Sequence, residues 1–423
     1  MKKAAKSLIA TILGWQVRRL QKRHGFKVIA VTGSIGKTSS KLAIASVLSK
    51  AFTVRYQSGN YNDKVSVPLI FFGEEIPNIF NPLQWFLIFL RNELKIRKPY
   101  SYEIVVVEVG TDGPGQIKEF GKYISAELAV LTAITPEHME YFDDLDAVAD
   151  EELEVTEFSK KLLINSDLVA EQYLKLRGKK AQTYGLKTNA DIRIEEVKFK
   201  GDEASFVITR SAKKVVEAHH QHITEPQLYS VCAAAAVGLE LGMEPEQISE
   251  GIGSIPPVSG RMRHLEGING STIIDDSYNS SPEATRAALD TLYRVDASQK
   301  IAVLGNMNEL GKYSADEHTV IGNYCKPEEL ELVVTIGPDA NDYLAPAAKE
   351  KGCKVVSFED PYSAGKYLAP LIKKGAAILV KGSQNKVFSE ETVKLLLKNP
   401  QDSSKLVRQS PYWLKVKAKS FKN

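Results

Sequence analysis

The chain has 423 residues, of which 43% are hydrophobic and 25% are charged. These proportions are ordinary for a soluble globular protein and exclude collagen-like or low-complexity chains, and the length predicts two or three domains. The cysteines Cys232, Cys325 and Cys353 are odd in number and far apart in sequence. They predict neither a disulfide framework nor a zinc site, and they fit a reducing cytoplasm.

The net charge of +3 conceals two basic ends: residues 1–27 carry eight Lys/Arg and residues 403–423 carry six, both without an acid. Such ends predict contact with nucleic acid or with an anionic membrane surface. We favour the membrane, because apolar side chains recur at helical spacing over residues 8–20, beside Trp15. Those side chains are Leu8, Ile9, Ile12, Leu13, Val17 and Leu20. Packing of this helix on the protein's own body is the open alternative.

A phosphate-binding loop follows the first predicted strand, residues 27–31. The loop reads Thr32, Gly33, Ser34, Ile35, Gly36, Lys37, Thr38 and Ser39, and a helical pattern of apolar residues follows over 42–48. Glycines let backbone N–H groups close around an anion, and the helix N-terminus adds its positive dipole end. Lys37 would reach the outer phosphates and Thr38 or Ser39 could bind Mg²⁺. The sequence therefore predicts a nucleoside triphosphate site.

A second apolar run, residues 79–90, precedes Arg91 and Lys95. It is too short to cross a bilayer, which takes about 20 apolar residues. The run predicts either a helix in the membrane interface or a core helix.

Two buried strands are predicted over residues 102–110 and 128–134. The first contains Glu108 near its end, and the second leads to His138. Ligands of open α/β sheets gather at the carboxyl ends of strands, so both side chains are expected to face the phosphates. In the second half, the acid pair Asp275-Asp276 and the segment 381–383 likewise end apolar runs.

The chain resembles the Mur ligases, and within them the branch that adds D-alanyl-D-alanine to a UDP-muramoyl-tripeptide. The resemblance begins with the phosphate loop and continues in the family's order through seven further stretches. These are Gly59-Asn-Tyr-Asn-Asp63 with Val67-Pro68, Glu108-Val-Gly110 with Gly115-Gln-Ile117, His138-Met-Glu-Tyr-Phe142, Gly260-Arg-Met262, Asp275-Asp-Ser-Tyr-Asn279 with Pro282, Leu304-Gly-Asn-Met-Asn-Glu-Leu-Gly311 and Val380-Lys-Gly-Ser383. They span roughly residues 28–415.

The resemblance implies an α/β protein with a P-loop central ATPase domain followed by a Rossmann-like C-terminal domain that closes over the nucleotide. The expected division is a basic amphipathic helix at 1–26, the central domain at 27–257, the C-terminal domain at 258–402 and a basic tail at 403–423. The implied reaction is amide formation: a substrate carboxylate attacks the γ-phosphate, and an amine then displaces phosphate from the acyl phosphate. ATP and Mg²⁺ are the implied cofactors.

Matching the motifs position by position gives each site residue an implied role. Lys37 would stabilise the transferring phosphoryl group, Thr38 and Glu108 would hold one Mg²⁺, and His138 would help hold a second. Arg261 and Asp276 would contact the ATP phosphates and ribose. Asn279 would line the cleft where the nucleotide meets the amine.

The sequence departs from the family pattern in three places. The family's N-terminal domain, which grips the UDP end of the substrate, is not represented before the loop, so a partner protein or a lipid-linked precursor is a possible substitute. Glu152 stands where the family usually has a carbamylated lysine, and could serve as a built-in carboxylate. The family's His-Asn pair near the adenine is not seen; His219, His220 and His222 do not restore its spacing and predict no metal site.

The predicted function is therefore an ATP-dependent amide ligase that joins a D-Ala-D-Ala-like amine to a muramoyl-peptide-like acceptor in peptidoglycan synthesis. It is expected in the cytoplasm, with possible peripheral membrane contact through the basic N-terminal helix. Nucleic-acid binding is not predicted. The alternatives are a related ligase acting on a polyglutamate or lipid-linked acceptor, and a nucleotide-binding partner subunit with little activity of its own.

Overall fold

The computed structural model describes residues 2–57, 59, 61–174, 181–187, 189–200, 203–221 and 223–421. Asn60 of the predicted motif at 59–63, and His222, lie outside them. The chain forms two compact units. Unit 1 comprises Met1–Thr135, Tyr141–Ile223 and Gln227–Pro256, and unit 2 comprises Pro136–Glu140, Thr224–Pro226 and Pro257–Asn423.

Unit 1 alternates strands and helices along its length. Its helices are α1 (Lys2–His24), α2 (Lys37–Leu48), α3 (Ser66–Phe72), α4 (Pro82–Arg97), α5 (Gln116–Phe120), α6 (Leu145–Leu153), α7 (Glu171–Leu174), α8 (Glu225–Glu240) and α9 (Pro245–Gly253). Its strands are β1 (Lys27–Thr32), β2 (Val54–Arg55), β3 (Ile104–Glu108), β4 (Ala126–Leu131), β5 (Ser159–Asn165), β6 (Ala181–Gly185), β7 (Ile192–Lys200), β8 (Glu203–Arg210) and β9 (Lys213–Gln221).

These nine strands form one sheet in the order β2-β3-β1-β4-β5-β6-β7-β8-β9. Neighbouring strands from β2 to β7 in this order pair in parallel. The pairs β7-β8 and β8-β9 are antiparallel. The register sets Val31 beside Glu108 and Thr32 beside Leu131. The carboxyl ends of β1, β3 and β4 therefore lie side by side, as the strand-end argument predicted.

The N-terminal helix packs on the body of unit 1. Leu13, Val17 and Leu20 of α1 have no exposed area, and α1 contacts α3 and α4. The Gln16 amide donates to the Phe89 carbonyl of α4 at 3.0 Å. The structure therefore supports the alternative in which α1 packs on the protein's own body, because the central residues of its apolar stripe are buried against other helices.

The second apolar run forms α4, which Asn81 caps by accepting a hydrogen bond from the Gln84 amide. One face of α4, including Trp85 and Ile88, is buried. The other face is exposed. No helix of the described chain is both long and apolar enough to cross a membrane.

Unit 2 contains a six-stranded sheet with helices. Its strands are β10 (Arg263–Glu266), β11 (Thr272–Asp276), β12 (Lys300–Gly305), β13 (Leu332–Ile336), β14 (Val355–Phe358) and β15 (Ala377–Lys381), in the order β10-β11-β15-β12-β13-β14. Its helices are α10 (Pro282–Arg294), α11 (Ser314–Tyr324), α12 (Ala345–Glu350), α13 (Pro361–Leu368), α14 (Glu390–Leu396) and α15 (Pro411–Ser420). Only β10-β11 pairs antiparallel.

Within the basic segment 403–421, two cations are tied to buried acids of α14. Arg408 pairs with Glu390 at 2.7 Å, and the buried Lys417 of α15 pairs with Glu390 at 2.8 Å and with Glu391 at 2.7 Å. The charges of this segment therefore serve, in part, to anchor α15 on its own unit.

Candidate active site

The loop after β1 has the backbone of a phosphate-binding turn. Gly33 and Gly36 adopt φ values of 124° and 83°, in the region that favours glycine. A Cβ on Gly33 would lie 2.4 Å from the Thr132 hydroxyl, so β4 leaves no room for a side chain there. Helix α2 begins directly after Gly36, which provides no side-chain cap, so the positive end of the helix dipole lies at the loop.

Lys37 holds its ammonium group over this loop. Its Nζ donates to the Gly33 and Ser34 carbonyls at 2.5 and 3.2 Å. The Ser34 hydroxyl in turn accepts from the Thr135 amide at 3.0 Å. The loop and the residues after β4 are therefore linked by hydrogen bonds, and Lys37 is positioned at the mouth of the turn.

Thr38 and Glu108, predicted as metal ligands, meet beside the loop. The Thr38 hydroxyl donates to Glu108 Oε2 at 3.0 Å. Their oxygens are the hard ligands that Mg²⁺ prefers, and Mg²⁺ commonly takes one or two protein ligands together with phosphate oxygens. The pair therefore fits an Mg²⁺ that accompanies a nucleotide. Among the described residues there is no cluster of three or more His, Cys, Asp or Glu arranged to hold a metal ion.

Lys41 is a site residue that the sequence argument missed. Its side chain is fully buried, and Nζ donates to Glu108 Oε2 at 3.2 Å and to the Gly59 carbonyl at 3.0 Å. The available signal was the helical spacing, because residues three apart share a face and Lys41 follows Thr38 by three. A buried ammonium group thus stands against the carboxylate expected to bind the metal.

Glu152 lies at the start of the phosphate loop. Its Oε2 accepts from the Gly33 amide at 2.8 Å and from the Thr32 hydroxyl, and the side chain is buried. The neighbouring Glu151 instead accepts from the Gly115 and Ile117 amides. The structure therefore brings Glu152, and not Glu151, to the loop.

His138 groups with unit 2. It has a positive φ of 55°, and its Nδ1 lies 2.8 Å from Glu309 Oε2. Hydrogen bonding to His138 lowers the pKa of Glu309 below its ordinary value. Glu309 lies in the motif at residues 304–311 and has no implied role there, and the part of His138 in holding a second metal ion stays a prediction.

The acid pair of unit 2 is buried, and its two members have different partners. The β11–β15 register places Asp276 beside Lys381, and Lys381 Nζ pairs with Asp276 Oδ2 at 2.6 Å and donates to the Asn279 carbonyl at 3.0 Å. Asp275 accepts from the Gly260 and Ser277 amides, both at 3.2 Å. Burial raises the pKa of Asp275 to about 6.

Arg261 stacks its guanidinium group over the Tyr278 ring, 4.3 Å from the centroid. The two segments are joined further by the Tyr278 amide, which donates to the Gly260 carbonyl at 3.0 Å. The structure therefore gathers Arg261, Asp276 and Asn279 around the carboxyl ends of β11 and β15.

Two of the three histidines near residue 220 are described. His220 Nε2 lies 2.9 Å from the Ile255 carbonyl, and His219 is on the exposed face of β9. Within the described chain no metal-binding group includes either of them. Cys232, Cys325 and Cys353 are buried and form no disulfide.

A P-loop on a parallel sheet, followed by a second parallel sheet, defines a two-domain nucleotide-binding α/β protein. The model of the Mur ligase middle domain matches residues 31–238, and that of the Mur ligase glutamate ligase domain matches residues 260–384. Together they cover most of the chain, which therefore belongs to the Mur ligase family.

Individual relatives are similar over most of both chains. The UDP-N-acetylmuramoyl-tripeptide–D-alanyl-D-alanine ligase of Bacillus subtilis is 27% identical over 89% of this chain and 77% of its own length. MurF from Acinetobacter baumannii superposes with a TM-score of 0.75 at 22% identity, covering 90% of this chain and 79% of that one. MurF from Thermotoga maritima in complex with ADP gives 0.73 at 24% identity, covering 91% and 84%.

These comparisons confirm the predicted fold class, the resemblance to the Mur ligases and the class of ATP-dependent ligase. ATP with Mg²⁺ is the cofactor set of this family. The roles of the individual site residues and the predicted domain limits stay predictions.

Proposed function

We propose that the protein joins D-alanyl-D-alanine to the peptide carboxylate of a muramoyl-tripeptide, with ATP as the energy source. The observation that carries the proposal is the Thr38–Glu108 pair at the start of α2, beside a loop whose two positive-φ glycines suit phosphate. The relatives named for that reaction match this chain over most of its length. The substrates are inferred from those relatives.

In the proposed reaction, a carboxylate oxygen attacks the γ-phosphorus, the bond to ADP breaks, and an acyl phosphate forms. The amine nitrogen then attacks the acyl carbon, and inorganic phosphate leaves as the amine loses a proton. Lys37 and the first amides of α2 would stabilise charge on the transferring phosphoryl group. Thr38 and Glu108 would hold the Mg²⁺, which supplies further charge neutralisation when bound.

The remaining roles are carried by the resemblance and by local chemistry. His138 would help hold a second metal ion, Arg261 and Asp276 would contact the phosphates and ribose, and Asn279 would line the amine site. Glu152 would supply the carboxylate that the family obtains from a carbamylated lysine. Its support is its burial at the loop, where it fixes the Gly33 amide.

We also propose a cytoplasmic location, supported by three buried thiols without a disulfide.

The experiment is phosphate release from ATP and Mg²⁺, with D-Ala-D-Ala and UDP-muramoyl-tripeptide added singly and together. Release that needs both, with a pentapeptide product verified by mass, is the expected result. Lys37→Ala should lower the rate of phosphate release by about 10²–10³-fold, the usual cost of losing one oxyanion-type contact. The control is Lys50→Ala, which removes a lysine that pairs with Glu250 at the surface and should leave the rate unchanged. ATP binding without turnover would contradict the substrate assignment and favour another acceptor, or a partner subunit with little activity alone.

A further inference from the structure

Helix α4 exposes an apolar stripe along its outer face. Leu83, Phe86, Leu90 and Leu94 follow one another at helical spacing and are 66%, 62%, 49% and 49% exposed. Single exposed apolar residues are ordinary on protein surfaces, whereas a contiguous stripe of this size marks an interaction surface. We call these four residues the α4 stripe.

Helix α1 packs against α4. Arg19 of α1 pairs with Glu93 of α4 at 2.8 Å and stacks over Trp15, 4.2 Å from the ring centroid. Because Arg19 contacts both Trp15 and Glu93, the Trp15 ring lies on the α4 side of α1, where it is 56% exposed. Tryptophan is the side chain most typical of a membrane–water interface.

On its other side, α1 borders a basic cleft of about 610 Å³. Arg18 and Lys22 of α1 line it, together with Lys27, Lys122 and Lys160. Its one lining acid, Glu127, is paired with Lys160 at 2.8 Å. The cleft thus presents more positive than negative charge, which suits anionic head groups.

Two acids near the stripe, Glu93 and Glu74, are engaged in ion pairs. Glu93 is the one acid of α4, and it faces Arg19. Glu74 pairs with Arg91 and Lys95 of α4, at 2.5 and 2.6 Å. Helix α1 itself contains no acid. The surface therefore combines apolar side chains, an interfacial tryptophan and positive charge, the combination that binds anionic bilayers peripherally.

We propose that the α4 stripe, Trp15 and the basic cleft beside α1 form a docking surface for the anionic face of a lipid bilayer. The apolar side chains would enter the interface while the cleft holds head groups. This differs from the contact predicted from sequence, in which the apolar stripe of α1 itself would meet the membrane, because Ile9, Leu13, Val17 and Leu20 of that stripe are buried. The proposal is independent of the ligase reaction.

The test is flotation of the full chain with vesicles of phosphatidylcholine alone, or mixed equally with phosphatidylglycerol, at 0.1 and 0.5 M salt. We expect the protein to bind the mixed vesicles and to bind them less tightly at high salt. The reason is that the Debye screening length falls from about 10 Å at 0.1 M salt to a few ångströms at higher salt. Phe86→Ser with Leu90→Ser should lower the partition coefficient more than tenfold. Arg18→Gln with Lys22→Gln should lower it and flatten its salt dependence.

Matched controls make the same changes on exposed positions elsewhere. Phe199→Ser with Leu371→Ser, and Lys349→Gln with Lys351→Gln, should bind as the unchanged protein does. All variants should keep their urea unfolding midpoint and their solution ligase rate. Absence of wild-type binding, or equal loss in controls and test variants, would overturn the proposal. The proposal would also be overturned if the wild-type protein bound no vesicles but formed a dimer that the Phe86→Ser with Leu90→Ser variant did not form. The stripe would then be a contact between two copies of the chain.

Discussion

At the scale of single residues, Glu108 is held by two donors from one helix, the Thr38 hydroxyl and the Lys41 ammonium group. The carboxylate is buried, and burying a charge costs free energy unless partners compensate for it. Lys41 therefore acts as a positioning residue that holds the Glu108 carboxylate beside the Thr38 hydroxyl. A metal ion at Glu108 would share the carboxylate with this ammonium group.

Lys41→Met should destabilise the native state by about 3–5 kcal/mol, the usual cost of leaving one member of a buried pair unpaired. Lys41→Met combined with Glu108→Gln should recover a large part of that loss, because neither charge is then buried alone. Urea unfolding of the two single variants and the double variant measures the coupling. Additive losses would show that the pair contributes nothing beyond its separate packing.

Glu152 leads to a second test at this scale. If its own carboxylate serves the site, the native enzyme should be indifferent to added bicarbonate, while Glu152→Lys should become sensitive to it. Glu152→Gln keeps the size but loses the charge, and should lower turnover with little change in stability. Phosphate release measured with and without bicarbonate decides this; stimulation of the native enzyme would point to a carbamylated lysine elsewhere.

At the scale of elements, β11 ends in an acid whose protonation is linked to stability. Burial raises the pKa of Asp275 to about 6, above the ordinary 3.8. The native state then binds this proton more tightly than the unfolded state does. Its contribution to stability is therefore full below pH 3.8 and is lost as the pH rises through 6.

Asp275→Asn should remove this contribution. The difference in unfolding free energy between the native protein and the variant should grow as the pH falls from 8 to 4.5, reaching about 2 kcal/mol of the full ~3 kcal/mol that the pKa difference is worth at about 1.36 kcal/mol per pKa unit. Asp296→Asn makes the same change at an exposed acid of the same unit and serves as the control. Denaturant unfolding at several pH values provides the measurement, and a flat Asp275→Asn difference would rule out the raised pKa.

The elements that the sequence predicts best are those with local signals. Strands β1, β3, β4, β11 and β15 are apolar runs that end in polar or glycine residues, and the loop between β1 and α2 is recognisable from its glycines and lysine. Their side-by-side strand ends follow from the general behaviour of parallel sheets.

Other features depend on contacts between distant parts of the chain, and the sequence argument did not find them. The burial of Lys41 requires Gly59 and β3 to close over α2, and a lysine on a helix ordinarily predicts a solvated face. The segment 403–423 is predicted from sequence as a basic tail, yet within it Lys417 is buried against Glu390 and Glu391. Half of α4 is buried and half exposed, which apolar composition alone cannot distinguish.

At the scale of the whole molecule, the chain is a Mur ligase of two compact units. We propose that it forms an amide through an acyl phosphate. Lys37, Thr38 and Glu108 belong to unit 1, and Arg261, Asp276 and Asn279 belong to unit 2. In this mechanism, one carboxylate oxygen of the acceptor leaves with the released phosphate.

The most direct measurement uses a muramoyl-tripeptide with ¹⁸O at both oxygens of its reacting carboxylate. It is incubated with ATP, Mg²⁺ and D-Ala-D-Ala in ordinary water. Mass spectrometry of the phosphate should find one ¹⁸O in each ion formed, and the pentapeptide should retain the other label in its new amide. Phosphate free of ¹⁸O would mean that water attacks the γ-phosphate, and it would contradict the ligase account.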